Sequence, residues 1–141
     1  MIDTGHWIYN KDFNVEDYWG FVYLVTNINT DRKYIGKKSF WSVTTKKVNM
    51  LTKPGKKNTK VKKESKWRTY TTSSETINRE ILLGEQFTFE ILTLHKSKGS
   101  LAYNEVYQIV IREALTSKFD NDDREYYNGN IPAIKFIPKD D

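Results

Sequence analysis

Six consecutive residues, Phe21-Val22-Tyr23-Leu24-Val25-Thr26, are all aromatic, aliphatic or β-branched. The run is too short for an independent helix and reads as a buried strand. Turn formers follow in Asn27-Ile28-Asn29-Thr30-Asp31. Lys33-Tyr34-Ile35-Gly36-Lys37 then reads as the returning strand of a β-hairpin. Gly36 ends that strand or lets another backbone or ligand approach closely. Tyr23 and Tyr34 share one face of the sheet if the register pairs them, and a one-residue slip separates them. Two exposed phenols near a basic segment can hydrogen-bond a phosphate and a water. Two arbitrary strand tyrosines more often fill a core.

The charge is uneven. Between Lys46 and Lys66 lie nine lysines against one acid, Glu64, a local charge of +8 in a chain of net charge +5. The rest of the chain is therefore acidic, at −3. Such a segment attracts a polyanion, nucleic acid before an anionic membrane surface. A solvated lysine loop that only keeps the protein soluble is the plainer alternative. With no cysteine in 141 residues, a disulfide framework, thiolate chemistry and cysteine-built zinc sites are excluded. His6 and His95 alone are too few for a zinc cage. No run approaches the ~20 apolar residues of a membrane span. The first residues lack a basic stretch followed by an apolar one, so the expected compartment is cytoplasmic or nuclear.

Along the chain, residues 1–19 read as an aromatic arm packed by Trp7, Tyr9, Phe13, Tyr18 and Trp19. The stretch from Lys38 to Lys66 reads as a short helix at most, then a long basic loop over 46–66 broken at Pro54-Gly55. Thr72-Ser73-Ser74-Glu75 has the form of a capping box, opening a helix through Ile77, Ile81 and Leu82 that stops at Gly84. Phe87-Thr88-Phe89-Glu90-Ile91 alternates as a third strand, and Gly99-Ser100 opens a helix from Leu101 to about Thr116. On that helix Tyr103, Val106, Val110 and Ala114 cluster as an expected core face. Glu105, Gln108 and Arg112 form a polar stripe, which is either a carboxylate projecting into a cleft or an ordinary solvated edge. Residues 131–141 are a tail with Pro132 and Pro138.

Gly20-Phe21-Val22-Tyr23 followed by Tyr34-Ile35-Gly36-Lys37-Lys38 resembles the paired signature of the GIY-YIG nuclease superfamily. One residue is inserted before the first tyrosine and Val22 stands for isoleucine, while Tyr34-Ile35-Gly36 matches in type. Trp67-Arg68-Thr69-Tyr70-Thr71-Thr72-Ser73-Ser74, Leu101-Ala102-Tyr103-Asn104-Glu105 and Tyr126-Tyr127-Asn128 resemble the Seg-type branch, stand-alone endonucleases of tailed phages. The resemblance covers residues 20–130. It implies an α/β (α+β) domain with a small central three-stranded antiparallel sheet flanked by helices, cutting DNA phosphodiesters with one Mg²⁺ or Mn²⁺ ion. It also implies the site residues. Tyr23 and Tyr34 match the motif tyrosines, Glu105 the metal-binding glutamate, and Asn128 the asparagine near the end of the domain. The family's arginine follows the second tyrosine on the first helix. No arginine lies between Gly36 and Arg68, so Arg68 is the match and Lys38 a second candidate for the cation.

These residue types suit the chemistry. Phosphodiester hydrolysis needs an activated water, charge stabilisation on the phosphorane oxygens and help for the leaving oxygen. A hard divalent ion on one carboxylate supplies the last, and Arg68 or Lys38 the second. A phenol is a poor base at its ordinary pKa near 10, so a nearby cation is expected to lower it. Tyr23 is assigned as base or relay and Tyr34 as the positioning group, with the roles exchangeable. Lys37, Lys46, Lys47, Lys56, Lys57, Lys62, Lys63 and Lys66 are the expected nucleic-acid contacts. DNA is the expected partner, with no membrane and no small-molecule cofactor. If the chain is phage-encoded, the compartment is the host cytoplasm. The rival reading is a non-catalytic nucleic-acid-binding module built on the basic loop and exposed aromatics.

Overall fold

The computed structural model describes residues 2–46, 55 and 59–134. Its centre is strand β2 (Gly20–Asn27), which contains the apolar run Phe21–Thr26. β2 pairs antiparallel with β3 (Lys33–Ser39) on one side and with β6 (Phe87–His95) on the other. Both faces of β2 are covered, which is why its sequence runs apolar without alternating. Phe21, Tyr23 and Val25 point into one core with Trp7, Phe40, Trp67 and Ile77. Val22 and Leu24 point into a second with Ile35, Leu101, Ile109 and Tyr126.

The sheet has four strands rather than the expected three. The N-terminal arm supplies the extra one, β1 (Trp7–Ile8), parallel to β6 (Phe87–His95), in the order β1-β6-β2-β3. The anchor of this arm is an indole. Trp7 is buried, meets the Phe21 ring edge-on at 5.0 Å, and donates its Nε1–H to the Trp67 carbonyl at 2.7 Å.

A second correction concerns the basic segment. β4 (Trp41–Lys46) and β5 (Thr59–Glu64) pair as a separate two-stranded ribbon, where a short helix and loop were expected. Thr59-Lys60-Val61-Lys62 in β5 alternates, a short period-two pattern that the lysine count conceals. Gly55 is the one residue described between the two strands.

Two helices complete the fold. α1 (Glu75–Leu82) is capped by Ser74, whose hydroxyl accepts from the Ile77 N–H, not by Thr72. The Thr72 hydroxyl instead accepts from the Ser74 N–H and from Tyr23. Gly84 follows the helix at φ +95°, as expected of a C′ glycine. α2 (Lys98–Ile111) begins three residues early, capped by Ser97. Its orientation also departs from expectation. Leu101, Glu105 and Ile109 form the buried face, whereas Tyr103 and Val110 are exposed. No helix among the described residues is long and apolar enough to cross a membrane.

If the arm belongs to the core, Trp7→Ala should cost about 3–5 kcal/mol of stability, the usual price of a buried large aromatic. A urea-unfolding midpoint that barely moves would return residues 2–19 to the status of an appended arm.

Candidate active site

Hairpin register decides the site. Tyr23 stands directly across from Gly36, and Tyr34 lies two residues before Gly36 on the same strand. An offset of two preserves the face, so the tyrosine rings lie diagonally on one side with centroids 6.3 Å apart. Tyr23 lies flat over the glycine. A Cβ at position 36 would stand 2.3 Å from Tyr23 Oη and 2.4 Å from its Cζ. Gly36 therefore serves close approach, but by the Tyr23 ring rather than by a backbone or a ligand.

The segment leading into α1 supplies a lid of hydroxyls. Tyr23 Oη donates to Thr72 Oγ1 at 3.2 Å, and Tyr34 Oη shares a hydrogen bond with Ser73 Oγ at 3.1 Å. The Tyr70 ring stands edge-on to Tyr23 at 6.2 Å, with Lys38 Nζ 4.5 Å from its own centroid. Tyr70, Thr72 and Ser73 were not among the expected site residues. The signal for them is the Trp67–Ser74 run, whose Thr72 hydroxyl the sequence offers only as a helix cap. The tyrosines also differ in access, for Tyr23 is wholly buried and Tyr34 half-buried. Burial pushes the Tyr23 phenol well above its ordinary pKa, with Tyr70 adding to the effect and the Thr72 bond opposing it. Burial likewise raises Tyr34, opposed by the Ser73 bond and reinforced by the Glu105 charge. The expected lowering by a cation is thus reversed, and in this state both phenols keep their protons.

Glu105 lies on the other side of edge strand β3. α2 packs Leu101 and Ile109 into the second core, and Glu105, one turn from each, is carried inward with them to 8% exposure. Among the described residues Lys37 pairs with it, its Nζ 4.0 Å from Glu105 Oε1. Burial raises the Glu105 carboxyl pKa and Lys37 opposes that rise. Among the described residues no three His, Cys, Asp or Glu side chains gather to hold a metal. A cation bound here would take Glu105 as its protein ligand and fill its remaining positions with water or phosphate oxygens, which suits the oxygen-seeking, water-retaining Mg²⁺.

Arg68 is occupied elsewhere. Its Nη1 pairs with Glu64 at 2.7 Å, its Nε donates to the Asp3 carbonyl at 2.8 Å, and its guanidinium lies 4.4 Å from the Trp67 ring centroid. These contacts tie the arm to β5. Lys37, expected only as a DNA contact, is the cation brought to Glu105. The arginine that α1 carries is Arg79, which is exposed.

Asn128 is also committed. Its Oδ1 accepts from the Ile35 N–H and its Nδ2 donates to the Ile35 carbonyl, both at 2.9 Å. The side chain thus behaves like one more residue of a neighbouring strand. With the Lys33–Tyr126 bridge it covers the open edge of β3. Of the basic-segment lysines, Lys62 stands 4.0 Å from the Trp41 ring centroid, and Lys63 and Lys66 are exposed. The Lys46 side chain, Lys47, Lys56 and Lys57 lie outside the described residues. Beside Lys37 opens a cleft of about 660 Å³ whose lining includes Lys38, Tyr70, Trp19 and Lys98.

Two stability tests follow from this geometry. Gly36→Ala forces a methyl into a ring that Trp7 and Tyr70 hold from behind. The expected cost is about 1–3 kcal/mol by overpacking, read as a fall in the urea midpoint. Glu105 supplies the second test. Because burial raises its folded-state pKa, stability is fullest below the unfolded carboxyl pKa near ~4.3 and declines as pH rises through the folded value. Glu105→Gln should therefore raise the melting temperature at neutral pH. The gain should close as pH falls below the carboxyl range, and a gain constant across that range would show that the charge is not the cause.

Residues 7–131 match the family model SegE_GIY-YIG, described as "Putative endonuclease segE, GIY-YIG domain". No curated protein and no solved structure matches the chain. The matched span contains every strand of the central sheet, both helices and the Asn128 clamp. The chain belongs to the GIY-YIG endonuclease family, on its SegE branch.

Proposed function

We infer that the protein is a divalent-metal-dependent endonuclease that hydrolyses DNA phosphodiester bonds, with Mg²⁺ or Mn²⁺ as the single ion. The observation that carries the reading is Glu105, a buried carboxylate 4.0 Å from Lys37, which lines a cleft with Lys38 and Lys98. A module that only held DNA would gain nothing from an anion there, since a carboxylate repels phosphate unless a cation stands between them. When bound to Glu105, the ion supplies positive charge to the phosphate and the leaving oxygen.

The chain's own groups do the rest. Lys37 and Lys38 neutralise the nonbridging oxygens and hold the phosphate against Glu105. Tyr34 is half-buried and feels the Glu105 charge, so it is the phenol that meets the attacking water. Its shared hydrogen bond with Ser73 orients the hydroxyl: Tyr34 Oη would take the water's proton as it passes its own to Ser73 Oγ, which is exposed and releases one to bulk solvent. Tyr23, sealed beneath and bonded to Thr72, fixes the floor on which Tyr34 and Gly36 rest. Asn128 acts as a positioning residue by fixing Ile35, the residue between the two. The protein acts in the cytoplasm, the host's where a phage encodes it.

Plasmid DNA incubated with Mg²⁺ should be cut by the protein and spared by Glu105→Gln, while DNA binding by the variant persists. Tyr34→Phe should lose roughly 10²–10⁴-fold in turnover, the scale of a lost proton-transfer group, with little change in melting temperature. Full cleavage by Glu105→Gln would remove Glu105 from the metal site. Binding by the protein without any cleavage would leave a nucleic-acid-binding module.

A further inference from the structure

The cleft lined by Lys37, the partner of Glu105, has walls that a site for phosphate alone would not require. Trp19, Trp41 and Tyr70 all line it. Each of these rings carries a lysine ammonium, Lys98 at 5.0 Å from the Trp19 centroid, Lys62 at 4.0 Å from Trp41, and Lys38 at 4.5 Å from Tyr70. An ammonium over an exposed ring is held weakly, and it binds a phosphate oxygen more strongly as a charge-assisted hydrogen bond. A nucleotide entering the cleft can therefore draw a lysine from its ring onto the phosphate. The bared face is then open to a base. The lysine acts as a placeholder, and one exchange satisfies both halves of the nucleotide.

The rings differ in their fitness for this exchange. Trp41 is buried and donates its indole N–H to the Tyr18 carbonyl at 2.9 Å. Tyr70 packs against Tyr23. Trp19 is half-buried, and its partner Lys98 is exposed at the first position of α2. Leu101, one turn before Glu105 on that helix, also lines the cleft. A base on Trp19 would thus lie on the α2 wall that leads to the carboxylate.

We propose that this cleft holds one unpaired nucleotide next to the bond to be cut, its base stacked on Trp19 and its phosphates on Lys38 and Lys98. Inside a duplex each base is stacked on both faces and has none to offer an indole. The preferred DNA is therefore one with an unpaired nucleotide beside the cut, as in an overhang, a gap or a branch. The cleft volume of about 660 Å³ suits a small-molecule guest and falls in the ~300–1,000 Å³ range of such sites. A charged groove with stacking rings is also the general device by which proteins hold single strands. The location beside the scissile bond rests on the nuclease reading, whereas the capture of an unpaired base does not.

The test uses Glu105→Gln without metal, so that cleavage cannot intervene. Tryptophan emission is followed while a short oligodeoxythymidylate or a blunt duplex of equal length is added. The single strand should quench emission and bind more tightly than the duplex. Trp19→Phe, added to Glu105→Gln, should remove most of the quench, since Trp7, Trp41 and Trp67 are buried. Lys98→Ala should weaken single-strand binding by roughly tenfold, the scale of one strong contact, while Lys11→Ala, a change at an exposed lysine of the arm, should have little effect. Equal affinity for duplex, or a quench that survives Trp19→Phe, would overturn the proposal. A second arm gives the protein Mg²⁺ and DNA with a 3′ or 5′ overhang. Cutting beside the unpaired nucleotide supports the full proposal, and cutting that ignores it overturns the placement. A Trp19 quench with no cutting of any DNA would sink the nuclease reading and leave the nucleotide cleft standing.

Discussion

The contact between the Tyr23 ring and Gly36 is the constraint on which the rest of this site depends. It exists only in one hairpin register, because a slip of one residue would put the phenol against Ile35 or Lys37. That register places Tyr34 diagonally beside Tyr23 and sends Lys37 to the opposite face, toward α2. Edge strand β3 thus addresses two layers at once. Its even positions supply Tyr34, Gly36 and Lys38 to one face, and its odd positions supply Ile35 and Lys37 to the other.

Glu105 shows how function and stability compete at such a place. A charged group on the buried face of a helix opposes folding, and burial alone accounts for its raised pKa. The fold tolerates it because Leu101 and Ile109 on the same face are almost completely buried. The Lys37 ammonium compensates only partly at 4.0 Å. A carboxylate so placed gains most when a cation arrives, and natural proteins commonly keep such costs where activity needs them.

The hairpin, the third strand and the stop of α1 at Gly84 were legible in the sequence because each rests on local chemistry, a β-branched run, an alternation or a left-handed glycine. The kinship was legible because its motif residues stay close along the chain. β1 was not, since two residues carry no period and Trp7 gains its place only through Phe21 and Trp67, far away in sequence. The face of α2 was legible only in part. Ala114 is buried as the wheel expects, but Tyr103 and Val110 are exposed, because contact with β2 and β3 draws Leu101, Glu105 and Ile109 inward instead. Arg68 and Asn128 match by type and order, yet type does not reveal that one holds Glu64 and Asp3 and the other the backbone of Ile35.

The Asn128 clamp has a consequence for how the chain comes off the ribosome. Ile35 and Asn128 are separated by 93 positions. At the usual ~5–20 residues per second, the nascent hairpin waits roughly 5–20 s for its final partner. During that interval the outer edge of β3 is bare, and a bare edge invites pairing with another chain. Lys33, Lys37 and Lys38 give that edge a density of positive charge that discourages such pairing. The lysines that serve phosphate in the finished protein thus also guard the strand while it is being made, and the site is completed late in translation.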